Sequence, residues 1–171
     1  NVCHASTMWR RDFDPLKESG MTGHSLHHQH PYCLVSTTML PKLDEVQKSL
    51  LEAGIKEFNS ARFWHAHEDW EELWKSLKSE SIEDGYVDAV QGLIQIAALL
   101  FQYQKCNQRG VENMWNKSTA KLGLPDTPSF ASLWGMDVQR LLIEVSDYVG
   151  AAKIEDWAKM TDQVKINMVG E

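Results

Sequence analysis

The segment Leu93-Ile94-Gln95-Ile96-Ala97-Ala98-Leu99-Leu100-Phe101 constrains the fold more than any other stretch of the chain. It is apolar nearly all round a helix, and a helix with no polar face must be buried on every side. Its nine residues, broken by Gln95, fall far short of the roughly 20 that cross a bilayer. The segment therefore predicts the central helix of a soluble bundle, running from about Tyr86 to Lys105.

Amphipathic stretches flank it. From Pro41, the residues Leu43, Val46, Leu50, Leu51, Ile55 and Phe58 recur at three- and four-residue steps and predict a first helix ending near Asn59-Ser60. Phe63, His67, Trp70, Trp74 and Leu77 form one continuous stripe on a second helix, which turns His67 inward and His65, Glu68 and Glu72 outward. A fourth helix follows Asn107, its N-cap, with Val111, Met114, Trp115, Ser118 and Leu122 inside and Gly123 as a C-terminal cap. After the break Leu124-Pro125-Asp126-Thr127-Pro128-Ser129, a further helix runs from Asp137 through Val138, Leu141, Leu142, Val145 and Val149. A short helix is expected through Trp157 and Met160, and no segment reads as a strand. The predicted class is all-α: a single compact bundle of four to six helices over residues 41–171, behind an irregular extension over residues 1–40.

Charge narrows the function. Between His65 and Asp84, seven acids stand against two lysines in a chain of net charge −7, so this surface repels phosphate backbones. Neither a nucleic-acid nor a membrane partner is expected. Cys3, Cys33 and Cys106 show no metal spacing, and a chain of 171 residues does not need disulfide staples. Reduced thiols in a soluble, intracellular protein are the simpler expectation. The extension holds five of the seven histidines, and such a tract captures transition metals adventitiously.

Candidate chemistry concentrates on the second and third helices. His67 and Glu71 lie four residues apart, so they share a helix face and are placed to share a metal or a proton. His-Glu-Asp-Trp-Glu differs from the zinc-protease pattern HExxH by a glutamate at the second histidine position, and a hydrolytic zinc wants three protein ligands. No Glu-x-x-His step supports a di-iron bundle. A divalent ion at His67 and Glu71 would draw on carboxylates or water to complete its shell. The alternative is a buried imidazole held by Glu71 or Gln95. Gln91 and Gln95, one turn apart in the most apolar helix, satisfy neighbouring polar groups or line a pocket with them. Trp70 and Trp74 are core aromatics by spacing and stacking surfaces by chemistry. Dinucleotide, Walker, nucleophile-elbow and CxxC signatures are absent.

Together these blocks resemble the domain-of-unknown-function 309 family, whose pattern is His-x-x-x-Glu-x-x-Trp, then a Leu-Ile-Gln helix, then Gly-Asn-x-x-x-Gly-Ala. The matching positions are His67, Glu71 and Trp74, then Gln91 to Gln95, then Asn107 and Gly110, over about residues 51–122. Cys106 stands where the family usually has glycine and Val111 where it has alanine, and the Asn107-to-Gly110 gap is one residue short. The resemblance implies a compact bundle in which histidine, glutamate, glutamine and asparagine converge. Its relatives are described as uncharacterised or as predicted metal-dependent hydrolases. Two readings follow: a small-molecule or metal site with His67 and Glu71 as ligands or base and orienter and Gln91, Gln95, Asn107, Trp70 and Trp74 lining it, or a non-catalytic interaction module. A homodimer is compatible with the second.

Overall fold

The computed structural model describes residues 40–169, and the His-rich extension lies outside them. The element order is α1 (Glu45–Asn59), α2 (Phe63–Ser79), α3 (Asp84–Gln104), α4 (Gln108–Leu122), the hairpins β1 (Gly123–Leu124) with β2 (Thr127–Pro128) and β3 (Ser132–Leu133) with β4 (Met136–Asp137), α5 (Val138–Lys153), and a 3₁₀ turn at Thr161–Gln163. The all-α class holds. The two hairpins correct the expectation of no strands: at two residues per strand they are too short to show an alternating pattern.

Helix α1 starts at Glu45, later than Pro41. Asp44 accepts from the Gln47 amide at 2.7 Å, and the Gln47 side chain returns a bond to the Asp44 amide at 3.0 Å. This capping box satisfies two groups that a helix start leaves open. The frame also turns Val46 outward, 67% exposed, against its place in the expected stripe. Gln47 is buried instead, donating to Glu80 at 2.9 Å and Ser76 at 3.1 Å, so it ties the start of α1 to the end of α2.

Helices α1 to α4 pack each against the next in chain order, and α5 packs on α3 and α4. Each reversal between them passes through one left-handed residue: Ala61 (φ 57), Ser81 (φ 56) and Cys106 (φ 54). The left-handed region costs a residue with a β-carbon roughly 1 kcal/mol. Close approach is made by glycine at two crossings. Gly54 in α1 lies against Trp70, and Gly92 in α3 lies against Leu122 of α4, where an added β-carbon would sit 2.5 Å from Cγ. As the run Leu93–Phe101 predicts, α3 is the central helix, with twelve of its residues buried.

Beyond α5 the chain departs from the expected short helix. It runs as a clasp that meets α1, α3 and α5 through its backbone groups. Tyr103 and Tyr148 hydroxyls donate to the carbonyls of Asp156 and Met160, and Asn59 exchanges two hydrogen bonds with the backbone of Ile166. Trp157, whose spacing suggested a helix, instead packs at 5.2 Å from the Tyr103 ring.

Candidate functional site

Helix α2 sends Phe63, Ala66, Trp70, Leu73 and Leu77 into the core, a three-four repeat that fixes its orientation. Three and four residues from that line stand His67, Glu71 and Trp74. One flank of α2 meets α1, where Trp70 donates to the Leu51 carbonyl at 3.3 Å and Ser76 meets Gln47. The opposite flank turns toward α3, as the 5.6 Å approach of the Trp64 and Phe101 rings shows.

His67 is 5% exposed and points inward as the stripe predicted. Its ring stacks on Trp64 with centroids 4.9 Å apart and planes 8° from parallel. Burial lowers its pKa, opposed by the weaker pull of Glu71 and Glu68, so the imidazole is neutral at pH 7. Glu71, four residues on, is half-buried and paired to Lys75 at 3.3 Å, and Lys75 also reaches Glu72 at 3.0 Å. None of the described hydrogen bonds joins Glu71 to His67.

Gln91 and Gln95 are half-buried on one ridge of α3. The Oε1 of Gln95 is fully enclosed and has no hydrogen-bond partner among the described residues; the same holds for the Nε1 of Trp74 on α2. These helices run antiparallel, so register follows from the Trp64–Phe101 contact. Gln95 lies six residues before Phe101, about 9 Å at the helical rise, and Trp74 lies ten after Trp64, about 15 Å. An offset of about 6 Å remains. Round α3, however, Gln95 stands about 120° from Phe101, on the ridge of Asp88 and Gln102, which reach Lys121 of α4 and its cap Asn107.

Asn107 takes a different part. It caps α4, accepting from the Gly110 amide at 3.1 Å, and donates to Gln102 Oε1 at 2.7 Å. Both polar atoms are thus used at the α3–α4 turn, and Trp70 is likewise used within the core. Cys106, just before this cap, has φ 54, the conformation that favours the glycine its relatives usually carry there.

Three His, Cys, Asp or Glu side chains placed to hold a metal ion are not found together among the described residues. His67 and Glu71 make at most a two-donor set, which does not fit a hydrolytic centre of three protein ligands around an open position. Across α2, sequence reasoning missed a shallow depression of about 380 Å³ lined by Glu57, Arg62, His65, Glu68 and Asp69. Arg62 grips Glu57 through its Nε and Nη2 and holds its carboxylate below the usual range. Asp69 is pushed up by partial burial and then by Glu57 and Glu68. Arg62 matches one of the three carboxylates in this wall, and only the spacing of Glu57 and Arg62 across a helix boundary could have signalled it.

Residues 51–114 match the family model described as Domain of unknown function (DUF309). This stretch of the helical core is similar to that family's domain. The DUF309 segment opens inside α1 and closes within α4, so it includes the whole of α2 and α3, His67, Glu71, Trp74, both glutamines and the Asn107 cap. Neither a curated protein nor a solved structure matches the chain. Among the described residues no helix is long and apolar enough to cross a membrane.

Proposed function

We propose that the DUF309 segment is a small-molecule-binding module whose site is the seam between α2 and α3, formed by His67, Trp74, Gln91 and Gln95, with Glu71 at its edge. The observation that supports this reading is a pair of enclosed polar atoms of opposite kind, Trp74 Nε1 and Gln95 Oε1, that the described residues leave unsatisfied. Each costs about 1–3 kcal/mol while it stays so. A fold that carries such a cost on both α2 and α3 is suited to a group supplied from outside.

The imidazole enters this reading as a neutral hydrogen-bonding group stacked on Trp64, and not as a metal ligand. Metal-assisted hydrolysis is not supported by the donor set. The rival, a non-catalytic interaction or oligomerisation module, draws on Trp70 and Asn107, whose polar atoms are already matched inside the protein. Those two residues are accordingly assigned to support rather than to the site.

A fragment library and a panel of divalent ions, screened by thermal shift on the full chain, separate the readings. Binding fragments that lose their effect in both His67→Ala and Gln95→Met support the seam. Stabilisation by an ion in the wild type but not in His67→Ala would restore the metal reading; no stabilisation by anything would favour the interaction module.

A further inference from the structure

We infer that the C-terminal clasp, residues 156–169, is exchanged between two copies of this chain, each copy's clasp seating on the other's α1, α3, α5 and β3–β4 hairpin as it does on its own. The inference is independent of the α2–α3 site.

The clasp sits on the bundle in the manner of an extended peptide. Val164 and Ile166 are buried at 2% and 4% exposure, while Lys165 and Asn167 are only half-buried. Alternate residues of an extended segment point to one side, so the clasp presents two apolar side chains to the body. Asn59 reads the backbone of Ile166 rather than its side chain, accepting from its amide at 2.7 Å and donating to its carbonyl at 3.2 Å. Farther along, the Asp137 amide donates to the Asn167 carbonyl at 2.9 Å and the Val169 amide donates to the Gly135 carbonyl at 2.6 Å. Met168 thereby pairs with Met136 at the edge of the hairpin. Strand addition at a sheet edge serves equally to receive a separate chain. All of these contacts join the clasp to the body without involving the covalent link, so the clasp of a second copy makes the same set.

The link itself is short and strained. Ala152 is fully buried at the end of α5, and the Tyr103 hydroxyl holds the Asp156 carbonyl at 2.7 Å. A change of route is therefore confined to Lys153, Ile154 and Glu155. All three are exposed, so moving them uncovers no core. Glu155 has φ 55, in the left-handed region that disfavours a residue with a β-carbon by roughly fivefold or more. An extended Glu155 escapes that penalty and sends the chain away from its own body, and a short hinge under strain favours exchange. The turns at Ala61, Ser81 and Cys106 share this backbone, but each leads into a helix packed along its predecessor, so no short segment can leave there. Tethering opposes exchange, because it keeps the clasp at an effective concentration on the order of millimolar about its own body. Relief of two hinges in each pair lowers the concentration needed by about tenfold or more.

Light scattering behind size exclusion, on the full chain equilibrated at about 5 to 500 µM, should show a reversible dimer. Glu155→Gly removes the penalty from the closed form and should weaken the dimer by about tenfold or more. Glu155→Pro, whose ring cannot adopt a positive φ, should strengthen it. Mixing two variants separates exchange from an ordinary surface contact. Asn59→Ala spoils the seat and Ile166→Asp spoils the clasp, so the mixture offers one intact seat and one intact clasp on different chains. It should form more dimer than either variant alone. Monomers throughout, in wild type and mixture alike, overturn the inference. So does a dimer that Glu155→Gly fails to weaken or that mixing fails to enrich. If Glu155→Pro does not fold, the glycine variant and the mixture decide the matter.

Discussion

A β-carbon built on Gly54 would lie 2.1 Å from the indole nitrogen of Trp70, so α1 meets α2 at a point where only a hydrogen fits. That indole is fully buried, packs tilted against Phe58 at 5.8 Å and donates to the Leu51 carbonyl, so it has no room to retreat. Gly54→Ala should destabilise the protein by about 1–3 kcal/mol despite alanine's better helix propensity, because overpacking outweighs that gain. Urea denaturation measures it. A stability equal to or above wild type would mean that the helices part without cost.

His67 gives the fold a pH dependence of known sign. Its folded pKa is lowered, so between that value and the unfolded value near 6.5 the unfolded chain binds more protons. Its contribution is fully present above about pH 6.5 and is lost as pH falls through that window. Wild type minus His67→Gln, followed by urea denaturation from pH 4.5 to 8, should show a slope of at most about 1.4 kcal/mol per pH unit, with stability rising with pH. Identical profiles would show an imidazole that titrates freely in the fold.

Asn107 is predicted to support structure. Asn107→Ala should cost about 1 kcal/mol through loss of the α4 cap, whereas Asn107→Asp, which still accepts from the Gly110 amide, should cost less. Binding of fragments to the proposed α2–α3 site should be unchanged in both variants once folding is complete. A selective loss of binding would return this side chain to the site.

Asn59 holds the C-terminal clasp. Its amide donates to the Ile166 carbonyl at 3.2 Å and its oxygen accepts from the Ile166 amide at 2.7 Å, while Lys165 reaches the Asn59 backbone carbonyl. Asn59→Ala leaves buried backbone groups of the clasp open and should cost about 1–3 kcal/mol. Hydrogen exchange at the Ile166 amide should accelerate more than at α3 amides. Uniform acceleration instead would show that the clasp opens only with the whole bundle.

Periodicity made the bundle legible because each helix buries one face: Phe63 to Leu77 formed a readable stripe, and Leu93 to Phe101 could only be central. Gly123 and Asn107 announced their caps by residue type. The parts that escaped depend on contacts far along the chain. Gln47 is buried because Ser76 and Glu80 come to meet it, and Val46 is exposed because a capping box shifted the helix start. The β3–β4 hairpin and the clasp are tied by bonds between residues far apart in the chain, such as Asp137 to Asn167, which leave no local pattern, and the β1–β2 hairpin is too short to leave one. At the candidate site, sequence placed His67 correctly; the Glu71–Lys75 pair, four residues apart on one helix, was open to the same spacing rule but unread, and the enclosed atoms of Trp74 and Gln95 depend on how the helices pack.

The chain-order stacking of α1 to α4 sets the route by which this protein folds. Neighbours in sequence are neighbours in space, so the four helices can assemble through short loop closures and at high speed. The union of Asn59 with Ile166 spans 107 residues and has to wait for that assembly. Refolding should therefore proceed in two stages, a rapid one that raises the helical layer and a slower one that latches it.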